Sequence, residues 1–248
     1  MSNIWDARSA KTLSDVHDDM YFLMSVALRD YCRSTKFICV NGSRTLEEHL
    51  RNVRTGASKA KVSRHVLQIA KEPPRYPLEG NEQGIKYPVS HAVDIMAFID
   101  GKGTWEDSYY VELAEAIRKA AIEYDIPVRW GGCWKDLRKV TSIRKAMQDY
   151  AKNCEKQYKA GRRKSPKPFF DTGHYELPTR LYPTAAQVVR STTIPKSRVT
   201  PAAASLSGIT RKDINHSTLS AGTSLSKDPI FKMIDDVVSD AESILNKR

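Results

Sequence analysis

Several absences narrow this chain before any motif is read. No run of residues is long and apolar enough to cross a bilayer. The opening stretch, MSNIWDARSAKTL, is mixed and charged and lacks the apolar core of a secretion signal, so no classical signal is expected and a substrate outside the cytoplasm would need another means of delivery. No Cys-x-x-Cys pair occurs among Cys32, Cys39, Cys133 and Cys154, which argues against a zinc ribbon or a thioredoxin-like centre. Four cysteines in 248 residues are too few for a disulfide scaffold and predict reduced thiols. Acidic residues are also short: 29 Asp and Glu stand against 40 Lys and Arg, a formal charge of +11. That balance favours an anionic partner, whether nucleic acid, membrane or cell envelope, without choosing among them.

What is present suits a folded chain. Hydrophobic residues make up 40% and aromatics 8%, enough for a buried core in one ordinary domain with extensions. Apolar residues recur at helical spacing from about Leu13 to Cys32. Phe37 to Val40 reads as a short buried strand closed by Asn41-Gly42, and Thr45 with Glu48 forms a capping box for a helix that ends near Thr55-Gly56. Residues 66–88, rich in Pro and Gly, read as loop. Ala92–Ile99 is a strand, 100–103 a turn, Tyr109–Tyr124 an amphipathic helix, and Ile126–Trp130 another strand. Residues 138–168 carry eleven cations, against only Asp149 and Glu155. Beyond Pro183 the composition turns to Ser, Thr and Ala. The expected division is therefore a globular unit over 1–183, a flexible linker over 184–227 and a short amphipathic helix over 228–248, capped by Asp228 with Pro229 in the first turn.

A hydrolytic zinc site needs three protein ligands, an open position for water, and a carboxylate to move protons. Of the six histidines, His17 and His49 fall on predicted helices and His216 in the linker, leaving His65, His91 and His174. His91 shares a segment with Asp94. Asp171 precedes His174 by three residues, a spacing that can set a carboxylate and an imidazole around one metal.

Ordered along the chain are Val40-Asn41-Gly42-Ser43-Arg44-Thr45, Ser63-Arg64-His65, His91-Ala92-Val93-Asp94, Arg129-Trp130-Gly131-Gly132-x-Trp134 and Asp171-x-x-His174-Tyr175-Glu176-Leu177. In this order the sequence resembles the zinc peptidases that comprise D-alanyl-D-alanine carboxypeptidases and phage L-alanyl-D-glutamate endopeptidases. The resemblance runs from about Trp5 to Leu177. It implies an α+β fold, with a small antiparallel sheet flanked by helices and a single zinc site. It implies one Zn2+ held by His65, Asp94 and His174, with Asp171 as catalytic base and then acid. Arg44 would stabilise the oxyanion or hold a substrate carbonyl. The implied substrate is the peptidoglycan stem peptide. The implied setting is a phage endolysin that waits in the host bacterial cytoplasm for release to the wall. A D-alanyl-D-alanine carboxypeptidase and a non-catalytic binding protein on the same fold are the alternatives.

The chain departs from the family pattern in several places. The family usually reads Ser-Arg-His-x-x-Gly-His-Ala-Val-Asp as one run, whereas here an insertion of roughly residues 68–89 parts His65 from Asp94. Such a loop can bulge out while its ends stay paired, because closure entropy grows only with the logarithm of length. His91 is the rival first ligand, but residues 91 and 94 of one strand face opposite ways, which favours His65 and makes His91 a supporting or pocket-wall group. Cys133 stands where the family usually has Asp, and is expected as a pocket-lining thiol or, in an altered site, a ligand. Gly173 replaces a usual Pro. Glu176 is expected to support the site, and Trp134 to wall the pocket. The second insertion, 138–168, is either a solvated helical excursion or an electrostatic handle for an anionic envelope. The sequence does not specify an oligomeric state.

Overall fold

The computed structural model describes residues 5–58, 60 and 62–185. The expected linker beyond 185 and the helix over 228–248 lie outside the described residues, as does His216.

The architecture is α+β, as the resemblance implies. Among the described residues are five α-helices: α1 (Ala7–Leu13), α2 (Asp18–Val26), α3 (Leu46–Arg54), α4 (Asp107–Glu123) and α5 (Ile143–Lys159). The strands are β1 (Lys36–Asn41), β2 (Ala92–Ile99), β3 (Lys102–Thr104), β4 (Arg129–Trp130), β5 (Lys135–Asp136) and β6 (His174–Glu176). They form one sheet in the order β1-β2-β6-β4-β5, with β3 also on β2, and every pairing is antiparallel. Asp100 and Gly101 take positive φ angles of 48° and 78°, and the register resumes at Ile99 opposite Lys102. This two-residue turn has the twist that a tight hairpin needs.

The alternation of β2 divides the molecule. Val93, Ile95 and Ala97 join the main core with Leu23, Leu113, Ile117 and Trp130. Asp94, Met96 and Phe98 face the other way, where Met96 packs with Ile38, Val40 and Phe98 in a small apolar strip. The site therefore grows on the sheet face away from the helices.

Two expected elements differ from the structure. The single helix from Leu13 to Cys32 is broken at residues 14–17. There Ser90 N–H donates to the Asp15 carbonyl (2.7 Å), and His17 N–H donates to the Ser90 carbonyl (2.8 Å). These bonds take the backbone groups that a continuous helix would use. α2 restarts under a His17 cap and ends in a π turn over Ala27–Tyr31. The strand expected over Ile126–Trp130 shrinks to β4. Pro127 has no N–H to offer a ladder, and Ile126 N–H is already bonded to the Ala121 carbonyl (3.0 Å).

The first insertion leaves and returns through one paired point. Gln68 and Val89 exchange backbone hydrogen bonds of 3.0 and 2.9 Å, closing the loop at its neck. Buried Asp18 and Asp19 at the start of α2 anchor its outer part. Asp18 accepts from Leu78 N–H and Asn81, and Asp19 accepts from Tyr76 N–H.

Candidate metal centre and active site

Register places the central carboxylate. Asp94 lies directly opposite Asn41 on β1 and opposite His174 on β6. Cross-strand neighbours on one face sit close enough for side chains to meet. His65 arrives from outside the sheet. Its carbonyl accepts from Arg44 N–H (3.0 Å), and the Arg64 carbonyl accepts from His91 N–H (2.8 Å). Arg64 is buried and ties this segment to the chain after β6, donating from Nε to the Leu177 carbonyl (3.1 Å) and from its terminal nitrogen to the Tyr182 carbonyl (3.0 Å). The paired neck of the insertion and this clamp together bring His65 to Asp94 across 29 residues of sequence.

His65, Asp94 and His174 form a cluster that could hold a metal ion. His65 Nε2 is 3.1 Å from Asp94 Oδ1 and 3.2 Å from His174 Nδ1, and His174 Nδ1 is 2.9 Å from the same Oδ1. Three ligands about 2.0–2.2 Å from a tetrahedral ion would stand about 3.3–3.6 Å apart, so the cluster needs to open by only a few tenths of an ångström. The surrounding bonds decide the tautomers. His65 Nδ1 is 2.7 Å from the Gly42 carbonyl and donates to it, which leaves Nε2 bare. His174 Nε2 is 3.1 Å from Glu176 Oε2 and donates to it, which turns Nδ1 toward Asp94. Asp94 Oδ2 accepts from the Asn41 amide (2.9 Å), leaving Oδ1 for the cluster. Once a cation displaces the proton that His174 Nδ1 shares with Asp94, two lone pairs and a carboxylate oxygen converge on one point.

The electrostatics agree. Burial opposes a charge on His174, but hydrogen bonds to Asp94 and Glu176 raise its pKa to about 10, so without an ion the ring holds a second proton between Nδ1 and Asp94, in the place a metal cation would take. Burial likewise opposes the Asp94 carboxylate, yet His65 and His174 hold it well below its usual range. His65 and His174 are buried, whereas the Asp94 side chain keeps 26% of its surface, so solvent reaches the cluster along its side.

Asp171 sits beside the cluster. Burial pushes its carboxyl up, and Asp94 adds to that, while His174, His65 and Arg44 pull it down. Asp171 N–H donates to the Gly131 carbonyl (3.2 Å), and Gly131 N–H donates to the His174 carbonyl (2.9 Å). A side chain at Gly131 would overlap the Asp171 carbonyl oxygen and come within 2.9 Å of its Cβ, so only glycine admits this approach. Arg44 has its backbone paired beside His65 and contributes its charge to the Asp171 site.

The other sequence candidates lie around this centre. His91 is fully buried and outside the cluster. Its ring packs 5.0 Å from that of His17, and neither ring nitrogen has a hydrogen-bond partner. Cys133 is buried with its thiol pKa pushed up by burial, and is not a member of the cluster. Trp134 walls the site, its ring 5.6 Å from that of His174. Glu176 holds His174 on one oxygen, while the other lies 3.0 Å from Arg129 Nε as an ion pair rather than an aligned hydrogen bond.

Sequence reasoning did not single out Asn41, Gly42, Arg64 or Arg129 as parts of the site. Asn41 and Gly42 were legible as the end of a strand and as part of a family motif, but not as groups that touch Asp94 and His65. Their role depends on a β1–β2 register that periodicity does not supply.

A sheet that presents a His/Asp/His cluster able to hold a metal, with a half-buried carboxylate alongside, is the equipment of a metal-dependent hydrolase. The kind of hydrolase follows from comparison. The model of the phage L-alanyl-D-glutamate peptidases matches residues 1–177, a span containing every site residue above, and the chain belongs to that family of peptidoglycan-hydrolysing peptidases. The crystal structure of the Serratia marcescens L-Ala D-Glu endopeptidase ChiX is similar at 26% identity over 70% of this chain and 89% of that one, with a TM-score of 0.42. Comparison with curated proteins found no match. Among the described residues, no helix is long and apolar enough to cross a membrane.

Proposed function

We propose that this chain is a zinc peptidase that cleaves the L-alanyl–D-glutamate bond of peptidoglycan stem peptides and serves a phage as its endolysin. The observation that carries the reading is the convergence of His65 Nε2, Asp94 Oδ1 and His174 Nδ1 beside Asp171. Two imidazoles and one carboxylate are a donor set suited to zinc, and three ligands leave a fourth position for water. A bound zinc supplies a water of lowered pKa and a Lewis acid for the scissile carbonyl.

The chain's own residues do the rest. Asp171 takes a proton from the attacking water and passes it to the leaving amine. Its raised pKa suits both halves of that task. Arg44 directs positive charge toward the carbonyl oxygen as negative charge develops there. Glu176 holds the His174 ring so that Nδ1 faces inward. Cations of residues 138–168 draw the enzyme toward an anionic envelope. Arg138, Lys145 and Lys159 are committed to neighbouring acids, so the exposed cations of Arg144, Lys152, Lys156, Arg162 and Lys164 supply that attraction.

The test is mass spectrometry of muropeptides digested by the parent and by Asp171→Ala. A new N-terminal D-glutamate from the parent, lost in a variant that still binds one zinc, is the expected result. Released D-alanine would turn the reading to a carboxypeptidase. An Asp171→Ala variant as active as the parent would sink the catalytic assignment.

A further inference from the structure

A single turn joins Asp171 to the ligand His174. His174 N–H donates back to the Asp171 carbonyl (3.1 Å), which closes Asp171, Thr172, Gly173 and His174 as a β-turn. Both ends are tied to the sheet, Asp171 N–H by the Gly131 carbonyl and His174 by its pairing opposite Asp94. The middle is held differently. The central peptide of such a turn, here Thr172–Gly173, can stand either way up, and turn types I and II differ by that flip. The flipped form needs a positive φ at the third residue, which glycine adopts freely. Gly173 occupies that place, where the family's usual proline would fix φ through its ring. Its φ is not positive, so the peptide stands unflipped.

The side chain of Trp130 reaches this peptide. Its Nε1 donates to the Thr172 carbonyl at 2.8 Å. Trp130 is fully buried, so its N–H has no water to turn to if that carbonyl moves away. Its ring is also confined: a Cβ on Gly132 would lie 2.3 Å from the ring's Cζ2 and Cη2, so the chain passes directly against it. Flipping the Thr172–Gly173 peptide would break the bond and strand a buried donor.

Resting on the reading of Asp171 as the base, we propose that Trp130 is a positioning residue whose indole N–H locks the Thr172–Gly173 peptide and so fixes Asp171 relative to His174. Without that N–H the cost of the flip disappears and the turn samples both forms. Asp171 is then held less closely against the metal cluster, while the ligands themselves stay in place.

The test removes the donor and keeps the ring. 3-Benzothienylalanine at position 130 puts sulfur where the indole carries N–H and opens no cavity; Trp130→Phe is the companion variant. With a stem-peptide substrate, kcat of the isostere is expected to fall about tenfold with KM nearly unchanged, since a misplacement of about 1 Å already costs about a hundredfold. Zinc affinity, measured by chelator competition, should change far less than kcat. If Trp130 only fills the core, the isostere keeps parental kcat and only Trp130→Phe loses activity, together with thermal stability; that result overturns the lock. A second readout needs no substrate. In 1H–15N NMR spectra of the full-length protein, the Gly173 amide should give one sharp signal in the parent and a doubled or broadened one in the isostere. A single sharp Gly173 signal in both also overturns the lock. A parent that does not cleave the substrate defeats the endopeptidase reading, and the NMR comparison still decides the lock.

Discussion

Glu176 Oε2 lies 3.1 Å from His174 Nε2, and the same ring turns Nδ1 to within 2.9 Å of Asp94 Oδ1. One carboxylate therefore holds one nitrogen of the histidine, and another faces the second. Three consecutive residues of β6 carry the arrangement: His174 and Glu176 on the site face, and Tyr175 buried in the core between them. Removing Glu176 frees the ring to rotate and to place its proton on either nitrogen. Glu176→Ala should weaken zinc binding about ten- to hundredfold, measured by competition with a chromogenic chelator. Glu176→Gln keeps an acceptor and should fall between. Parental affinity in both variants would mean that the ring is held by something else.

Gly131 tests how closely Asp171 must approach. Its missing side chain lets the Asp171 backbone pass against it, and an added methyl group would push that segment outward. Gly131→Ala should lose on the order of a hundredfold in kcat, because a displacement of about 1 Å is enough to misplace a proton-transfer group. Zinc content should fall far less than kcat, since the Gly42 carbonyl holds His65, β2 carries Asp94 and Glu176 holds the His174 ring, although Gly131 N–H also bonds the His174 carbonyl. Parental activity would show that the approach is not needed.

His91 makes the fold sensitive to acid. Burial, then the neighbouring charges of His17 and Arg64, hold its pKa well below the ordinary 6.5. The folded state therefore binds fewer protons at this ring than the unfolded chain once the pH drops below that value. Stability rises with pH across the window and is lost as pH falls through it, with a limiting slope of about 1.4 kcal/mol per pH unit for one proton. His91→Phe removes this titration, so urea midpoints at pH 7 and pH 5 should differ less in the variant than in the parent. An equal difference in both would place the acid sensitivity elsewhere.

Local structure was legible wherever a local rule governs it. The strand over Ala92–Ile99 matches β2 residue for residue because its apolar run is buried from Ala92 to Ala97 on both faces, apart from Asp94, and half-buried at Phe98 and Ile99. Thr45 and Glu48 form both bonds of the capping box read from their spacing. The break before α2 was not legible, since the apolar spacing runs through it and the interruption comes from Ser90, far along the chain. The site shows the same division. His174 and Asp171 stand in one short motif, whereas the meeting of His65 with Asp94 depends on the Gln68–Val89 neck and the Arg64 clamp. Both are long-range contacts with no periodic signature. The pairing of Arg129 with Glu176 was not legible for a similar reason: only the folded sheet sets the two opposite each other.

The most direct test of the metal centre is an anomalous difference map at the zinc edge from crystals of the zinc-loaded protein. The account predicts one peak, about 2.0–2.2 Å from His65 Nε2, Asp94 Oδ1 and His174 Nδ1. A peak coordinated by His91 or Cys133 instead, or no peak at this cluster, would contradict it.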